Sequence, residues 1–334
     1  MKRVLLIVLA LVLISSLATG CGSQGGSGDS SKDAGSEKHM RVGIITSDQT
    51  GFYNLSESGI MNILEPLGYS FLRGTSRFSV ATEMQLVEDF LSQGIDAMFF
   101  NCPADAEGSA ASIALLNDAG VPVFCTDSQP IAPNIEYVTC AMSNNIAAGE
   151  MIAEFIFGQI GNEGKIAIID GPQVTCVIER MQGYNNILAK NPNVELATYV
   201  MVSEHTTAGN AATKENILQG DPEIKAILGY CAYTGIVAET VALNMNRTDV
   251  WFGGVDGAPE EVEVIANGVA KIATAGQTPY EMGVLVAEAF IQLRDNPNAN
   301  IPKAIWAPLT LVTYENAKNY KGMDYSLIRS DVGS

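Results

Sequence analysis

The sequence predicts an α/β protein of two doubly wound parallel-sheet lobes, joined by short crossover strands, with a ligand cleft between them. Three observations predict it. From Arg41 onward, short apolar runs rich in Val, Ile and Phe alternate with longer stretches of helical spacing, the pattern of parallel sheets covered by helices on both faces. The 294 residues that follow position 40 of this 334-residue chain exceed one ordinary core and match about two domains of roughly 150 residues each. The alternation also breaks once, at "EYVTCAMSNNIAAGEMIAEFIFGQIG", where a strand follows "VPVFCTD" with no helix between and then enters a new helix. A strand placed so directly after another marks a crossover between lobes.

Taken in order, Lys2 and Arg3 precede an apolar run over residues 4–14, and small residues then lead to Cys21. This is the layout of a secretory signal peptide, and the run is too short to span a bilayer comfortably. The end "LATGC" resembles a bacterial lipobox, which implies a leader over residues 1–20 and lipid on Cys21. Residues 22–39 are mostly Gly, Ser and charge, with nothing apolar to bury, and residues 21–40 read as a flexible tether. The expected location is extracytoplasmic, with the folded part held to the cell membrane through that lipid.

The strands that follow are "RVGIITS", "YSFLRGT", "IDAMFFNC", "VPVFCTD", "KIAIIDG", "IKAILGYC", "VWFGGVD" and "AKIATAG", with helices such as "TEMQLVEDFLSQG" between them. The first lobe is expected over residues 41–141 with 278–306, and the second over 142–277 with 307–334. Ligands of open α/β sheets bind beyond the carboxyl ends of the strands. The residues at those ends are 48–53, 101–105, 127–129, 172–180, 204–207, 230–233, 256–259 and 277–280, a set rich in carboxylate, amide, guanidinium and aromatic groups.

The formal charge is −18, and loss of a leader that carries Lys2, Arg3 and no acid makes it −20. That acidity argues against nucleic acid and anionic lipid as partners. Beyond Cys21, the cysteines are Cys102, Cys125, Cys140, Cys176 and Cys231, an odd, scattered set with no CxxC. They read as small buried hydrophobes, with one Cys102–Cys125 bridge as the competing reading. His39 and His205 are the only histidines and neither has a ligand partner at metal spacing, so no metal and no cofactor is expected.

The anchors "TSDQTGFY", "LEPLGYSF", "GIDAMFFNCPAD", "NDAGVPVFCTDSQ", "IERMQGYNNIL", "DPEIKAIL", "GGVDGAPEEVEVI" and "ATAGQTPYEMG" occur in the order and spacing of the periplasmic binding proteins of the ribose and galactose type. From Arg41 to about Tyr320 the chain resembles these sugar-binding components of ABC importers. The resemblance implies the type I fold, closure of two lobes over a monosaccharide, delivery to an ABC permease, and a monomer. By position it implies that Phe52 and Tyr53 sandwich the sugar and that Thr50 stands where a hydrogen-bonding Asn is usual. Asp127 matches a carboxylate that takes two hydroxyls, and Ser128 replaces a frequent Arg. Arg180 matches the second-lobe guanidinium, Asp256 and Gln277 the carboxylate and amide of the polar ring, and His205 a second-lobe aromatic.

The chemistry agrees, since vicinal hydroxyls suit the bidentate geometry of Asp and Arg and the C–H face of a sugar suits an aromatic ring. Locally, each residue has a second reading. Asp127 could initiate a turn, Asp256 could cap a helix, and Arg180 could form a surface ion pair. Phe52 and Tyr53 could be core, and His205 a polar loop residue.

The stretch "ILGYCAYTGIV" reads as a strand entering a helix, with Cys231 and Ala232 where sugar receptors usually carry Asn-Asp. A hydroxyl buried there would lack a partner at a cost of roughly 1–3 kcal/mol. The ligand then lacks a hydroxyl at that place, as a deoxysugar, a small polyol or a furanone diol would, or uses Tyr230 or Tyr233 instead. GxSxG, P-loop and HExxH are all absent, so an enzyme is disfavoured. A lipid-anchored sensor that presents its closed form to a membrane receptor is the alternative within binding. The related repressors share the two lobes, but here a secretion signal stands in place of a DNA-binding helix-turn-helix.

Overall fold

In this computed structural model, residues 40–202 and 204–333 are described. The expected leader 1–20, the lipid-bearing Cys21 and the tether up to residue 39 lie outside the described residues.

Two six-stranded sheets organise the chain. The first is built from β1 (Arg41–Thr46), β2 (Ser70–Thr75), β3 (Ala97–Asn101), β4 (Val123–Thr126) and β5 (Thr139–Met142), with helices α1 (Gly51–Leu64), α2 (Val80–Ser92) and α3 (Ala110–Asp118) between them. The chain then enters α4 (Asn145–Gln159), β6 (Gly164–Asp170), α5 (Thr175–Leu188), β7 (Val194–Met201), α6 (Thr207–Gly220) and β8 (Ile224–Gly229). The short α7 (Tyr233–Ile236) and α8 (Ala238–Asn244) lead to β9 (Trp251–Asp256), α9 (Pro259–Asn267) and β10 (Lys271–Gly276). Finally α10 (Pro279–Asp295) and β11 (Ala304–Trp306) return to the first lobe, and β12 (Thr310–Val312) to the second.

The strand orders are β11-β5-β4-β3-β1-β2 and β12-β10-β9-β8-β6-β7. Pairing is parallel except between β10 and β12. The central strands are apolar on both faces because helices cover both; β3 is buried at every position. The edge strand β7 instead alternates buried or half-buried with exposed residues, as a strand covered on one face should.

The strands and helices carry the chain between lobes three times, after β5, after β10 and between β11 and β12, and the tail beyond β12 crosses once more. The assignment of residues 307–334 to the second lobe needs a correction at its end. Arg329 donates its backbone N–H to Ser58 Oγ (3.1 Å) and its guanidinium to Asn62 (3.1 Å) and Glu65 (2.7 Å) of α1, and Val332 joins the first-lobe core. The tail therefore returns because it carries an apolar anchor and a cation matched to α1.

The five cysteines within the described residues are free thiols, so the Cys102–Cys125 bridge does not form. Cys125 faces Cys140 across the β4–β5 register instead, and both are fully buried.

Candidate binding cleft

The carboxyl ends of both sheets border one cavity of about 380 Å³, within the size of small-ligand sites, about 300–1,000 Å³. From the first lobe, β1 leads through Thr50 into α1, whose opening turn presents Phe52 and Tyr53. Asn101 at the end of β3 donates to the Tyr53 carbonyl (2.8 Å) and fixes that turn. The two rings meet edge to face with centroids 5.4 Å apart, and Phe78 meets Tyr53 in the same way at 6.3 Å.

Asp127 directly follows β4 with φ +65° and is buried. The turn reading thus fits its backbone, and the same residue borders the cavity. Its Oδ2 accepts the Cys176 thiol (3.4 Å), and its Oδ1 lies 3.8 Å from Arg180 Nη2 with no hydrogen-bond donor among the described residues. Burial pushes its carboxyl up to about 6, against the opposing pull of Arg180.

Arg180, one turn into α5, is 3 % exposed, which removes the surface-pair reading. Asn145 accepts from its Nε (3.0 Å) and the Tyr230 carbonyl from its Nη1 (2.8 Å), and Asp256 Oδ1 lies 3.5 Å from Nη1.

Asp256 ends β9 with φ +126°, a strained conformation for a residue with a Cβ. It does not cap α9, since Ala258 holds the N-cap position. Its Oδ1 accepts Gln277 Nε2 (2.7 Å) and its Oδ2 the Ala232 N–H (3.0 Å). Burial raises its carboxyl and Arg180 offsets part of the rise. One buried and one half-buried carboxylate thus share one guanidinium, and such charges are costly to remove from water unless further donors reach them.

His205 and Cys231 also border the cavity. His205 Nδ1 lies 3.2 Å from Tyr230 Oη, and burial lowers its affinity for a proton. Burial pushes the Cys231 thiol well up, so it is a neutral, weak donor.

Of the expected site residues, Thr50, Phe52, Tyr53, Asp127, Arg180, His205, Cys231 and Asp256 come together around the cavity. Ser128 and Gln277 do not line it. Ser128 Oγ accepts the Cys176 N–H (3.2 Å) and ties the first lobe to the start of α5, while Gln277 stands behind Asp256 and aims it. The sequence reasoning missed Phe78, Met323 and Tyr325, which border the cavity. Phe78 follows the end of β2 and was open to the same strand-end rule; the other two arrive by the returning tail, for which the local sequence carries no signal.

Within the described residues no group of three or more His, Cys, Asp or Glu could hold a metal ion, and no helix is long and apolar enough to cross a membrane.

A parallel-sheet protein of two lobes with its polar groups at facing strand ends has the type I periplasmic binding fold. Residues 42–297 match the family model of the periplasmic binding protein domain, and the chain belongs to that family, which implies an extracytoplasmic place of action. Among its relatives, the ribose import binding protein RbsB of Bacillus subtilis is 27 % identical over 315 residues, covering 94 % of this chain and 99 % of that protein. The xylitol-binding protein of Mycolicibacterium smegmatis is 20 % identical, with 81 % and 76 % covered. In fold, the chain is similar to an ABC transporter solute-binding protein from Bacillus halodurans with bound myo-inositol, at TM-score 0.78 and 21 % identity, covering 86 % of this chain and 98 % of the other.

Proposed function

We propose that the protein is a solute-binding lipoprotein, anchored through Cys21, that captures a small polyhydroxylated ligand by closing its two lobes and delivers it as a monomer to an ABC import permease. The ligand class is a monosaccharide or related sugar. The observation that carries this reading is Asp127 Oδ1, a buried carboxylate oxygen at the cavity with an Arg 3.8 Å away and no hydrogen-bond donor among the described residues. A ligand hydroxyl is the neutral donor that would satisfy it, and vicinal hydroxyls would reach Asp127, Arg180 and Asp256 together. Relatives named for ribose import and for xylitol, and solved structures with myo-inositol and D-arabinose, support the same class. The rings of Phe52 and Tyr53 supply the apolar wall that a sugar C–H face needs.

A thermal-shift screen against pentoses, hexoses, deoxysugars and polyols tests this. A ligand at about 1,000 times its Kd adds roughly 4 kcal/mol to the binding state, which moves the midpoint by several degrees in a protein of this size. Absence of a shift with every polyhydroxylated compound would remove the sugar reading and leave the fold untouched.

A further inference from the structure

The lining of the cavity has two chemically different parts. One holds Asp127, Arg180 and Asp256; the other is apolar, with Phe52, Ala232, Ile236, Ala258, Met323 and the Tyr325 ring packed in one cluster, and the two parts adjoin where Asp256 accepts the Ala232 N–H. Ala232, Ala258 and Met323 belong to a small apolar cluster separate from both lobe cores, completed by Leu55 of α1. Three separate parts of the chain build it: α1, the strand ends of the second lobe, and the returning tail.

The tail is held in place at both sides of the cleft. Tyr320 donates to the Gln277 carbonyl (3.0 Å), and its ring covers Gly276, where an added Cβ would fall 2.2 Å from the phenol oxygen. The Tyr325 ring lies on Gly51, the first residue of α1, where an added Cβ would fall 2.3 Å from Cζ. Arg329 then fastens the strap to α1. Two polar atoms beside this cluster, Tyr325 Oη and Glu260 Oε2, lie 3.5 Å apart, and Tyr233 borders the cavity near them. Ala232 has spent its N–H on Asp256.

We propose that this apolar part is a subsite for an apolar substituent. The preferred ligand is then a sugar or cyclic polyol whose hydroxyls engage Asp127, Arg180 and Asp256 and which carries a methyl, alkyl or aryl group toward Met323. A free sugar would place a hydroxyl against Ala258, Ile236 and Met323, where it loses water and gains no partner. A glycoside or C-methyl sugar buries carbon there instead, and each added methylene in a well-fitted apolar pocket is worth about tenfold or more in affinity. The inference rests on the sugar-type reading of the polar part and adds the identity of the ligand's other end.

The test titrates the full chain with free pentoses and hexoses and with their methyl and phenyl glycosides, and reads the ratio of Kd values within each pair. The expected ratio favours at least one glycoside series by about tenfold or more, and Met323→Gln and Ile236→Gln each bring that ratio close to one. Free sugars that bind as tightly as every glycoside would overturn the subsite while the sugar reading stands. Binding of neither series would overturn the sugar reading and the subsite with it. Two separate variants guard against one that fails to fold.

Discussion

Asp127 sits where burial and charge oppose each other. Its carboxyl titrates near 6 because removal from water disfavours the anion more than Arg180 restores it. A ligand hydroxyl that donates to Oδ1 favours the anion, so ligand and proton compete for the same oxygen. Affinity is therefore level from pH 8 down to about 6 and falls below it, by up to roughly tenfold per pH unit. Through this group alone, the ligand-free fold moves the opposite way: the folded state holds the proton more tightly than the unfolded chain, so stability rises as pH falls through 6 toward the ordinary Asp value. Calorimetric Kd values from pH 5 to 8 check the first effect, and Asp127→Asn should abolish the slope. A slope that persists in Asp127→Asn would place the titrating group elsewhere. Asp127, Arg180 and Asp256 were legible because each stands at a strand end and has a side chain suited to hydroxyls. Ser128 and Gln277 have the same chemistry and sequence position, yet turn away from the cavity, because only tertiary packing decides that Ser128 meets the Cys176 N–H and that Gln277 braces Asp256.

Paired glycines set how two elements of each lobe approach. In the first, Gly59 of α1 and Gly283 of α10 let backbones touch, with added Cβ atoms falling 2.3 Å from the Tyr280 carbonyl oxygen and 2.0 Å from that of Ser56. In the second, Gly149 of α4 and Gly183 of α5 do the same, at 2.3 Å from the carbonyl oxygens of Arg180 and Ile146. Backbone cannot yield as a flexible side chain does, so Gly183→Ala should part α4 from α5 at a cost of about 1–3 kcal/mol. It should also weaken ligand binding, since Arg180 rides on α5 and its Nε is held by Asn145 at the start of α4. Thermal denaturation and titration of the same variant read both effects. The control is Gly158→Ala, where an added Cβ meets nothing within 4 Å and the helix should lose no stability. A Gly183→Ala protein as stable as wild type would contradict the close approach. The continuous apolar strands were readable from sequence because both faces are covered. β7 was not among them, since its exposed face breaks the apolar run, and β11 and β12 are three residues each, too short to show any period.

At the scale of the molecule, the two lobes meet through polar contacts on one side of the cleft and through the tail on the other. The Ala106 N–H donates to the Gln173 carbonyl (3.4 Å) and the Cys176 N–H to Ser128 Oγ (3.2 Å), while Tyr53 and Phe78 pack on the second-lobe core. Leu55 and Phe52 of α1 also pack against Ala232, Ala258 and Ile236 of the second lobe, so the cleft is bordered by contacts that a ligand between the lobes would add to. The two-lobe plan was visible from chain length and from the break after "VPVFCTD"; the strap formed by the last residues was not, because it depends on a long-range return to α1. The direct test of the account is a calorimetric titration of polyhydroxylated ligands into wild type and Arg180→Ala. The account predicts one site per chain with a negative heat-capacity change from cleft closure, and a loss of about tenfold or more in Arg180→Ala while the variant still unfolds cooperatively. Wild-type affinity in a folded Arg180→Ala protein, or no binding of any such ligand to wild type, would contradict it.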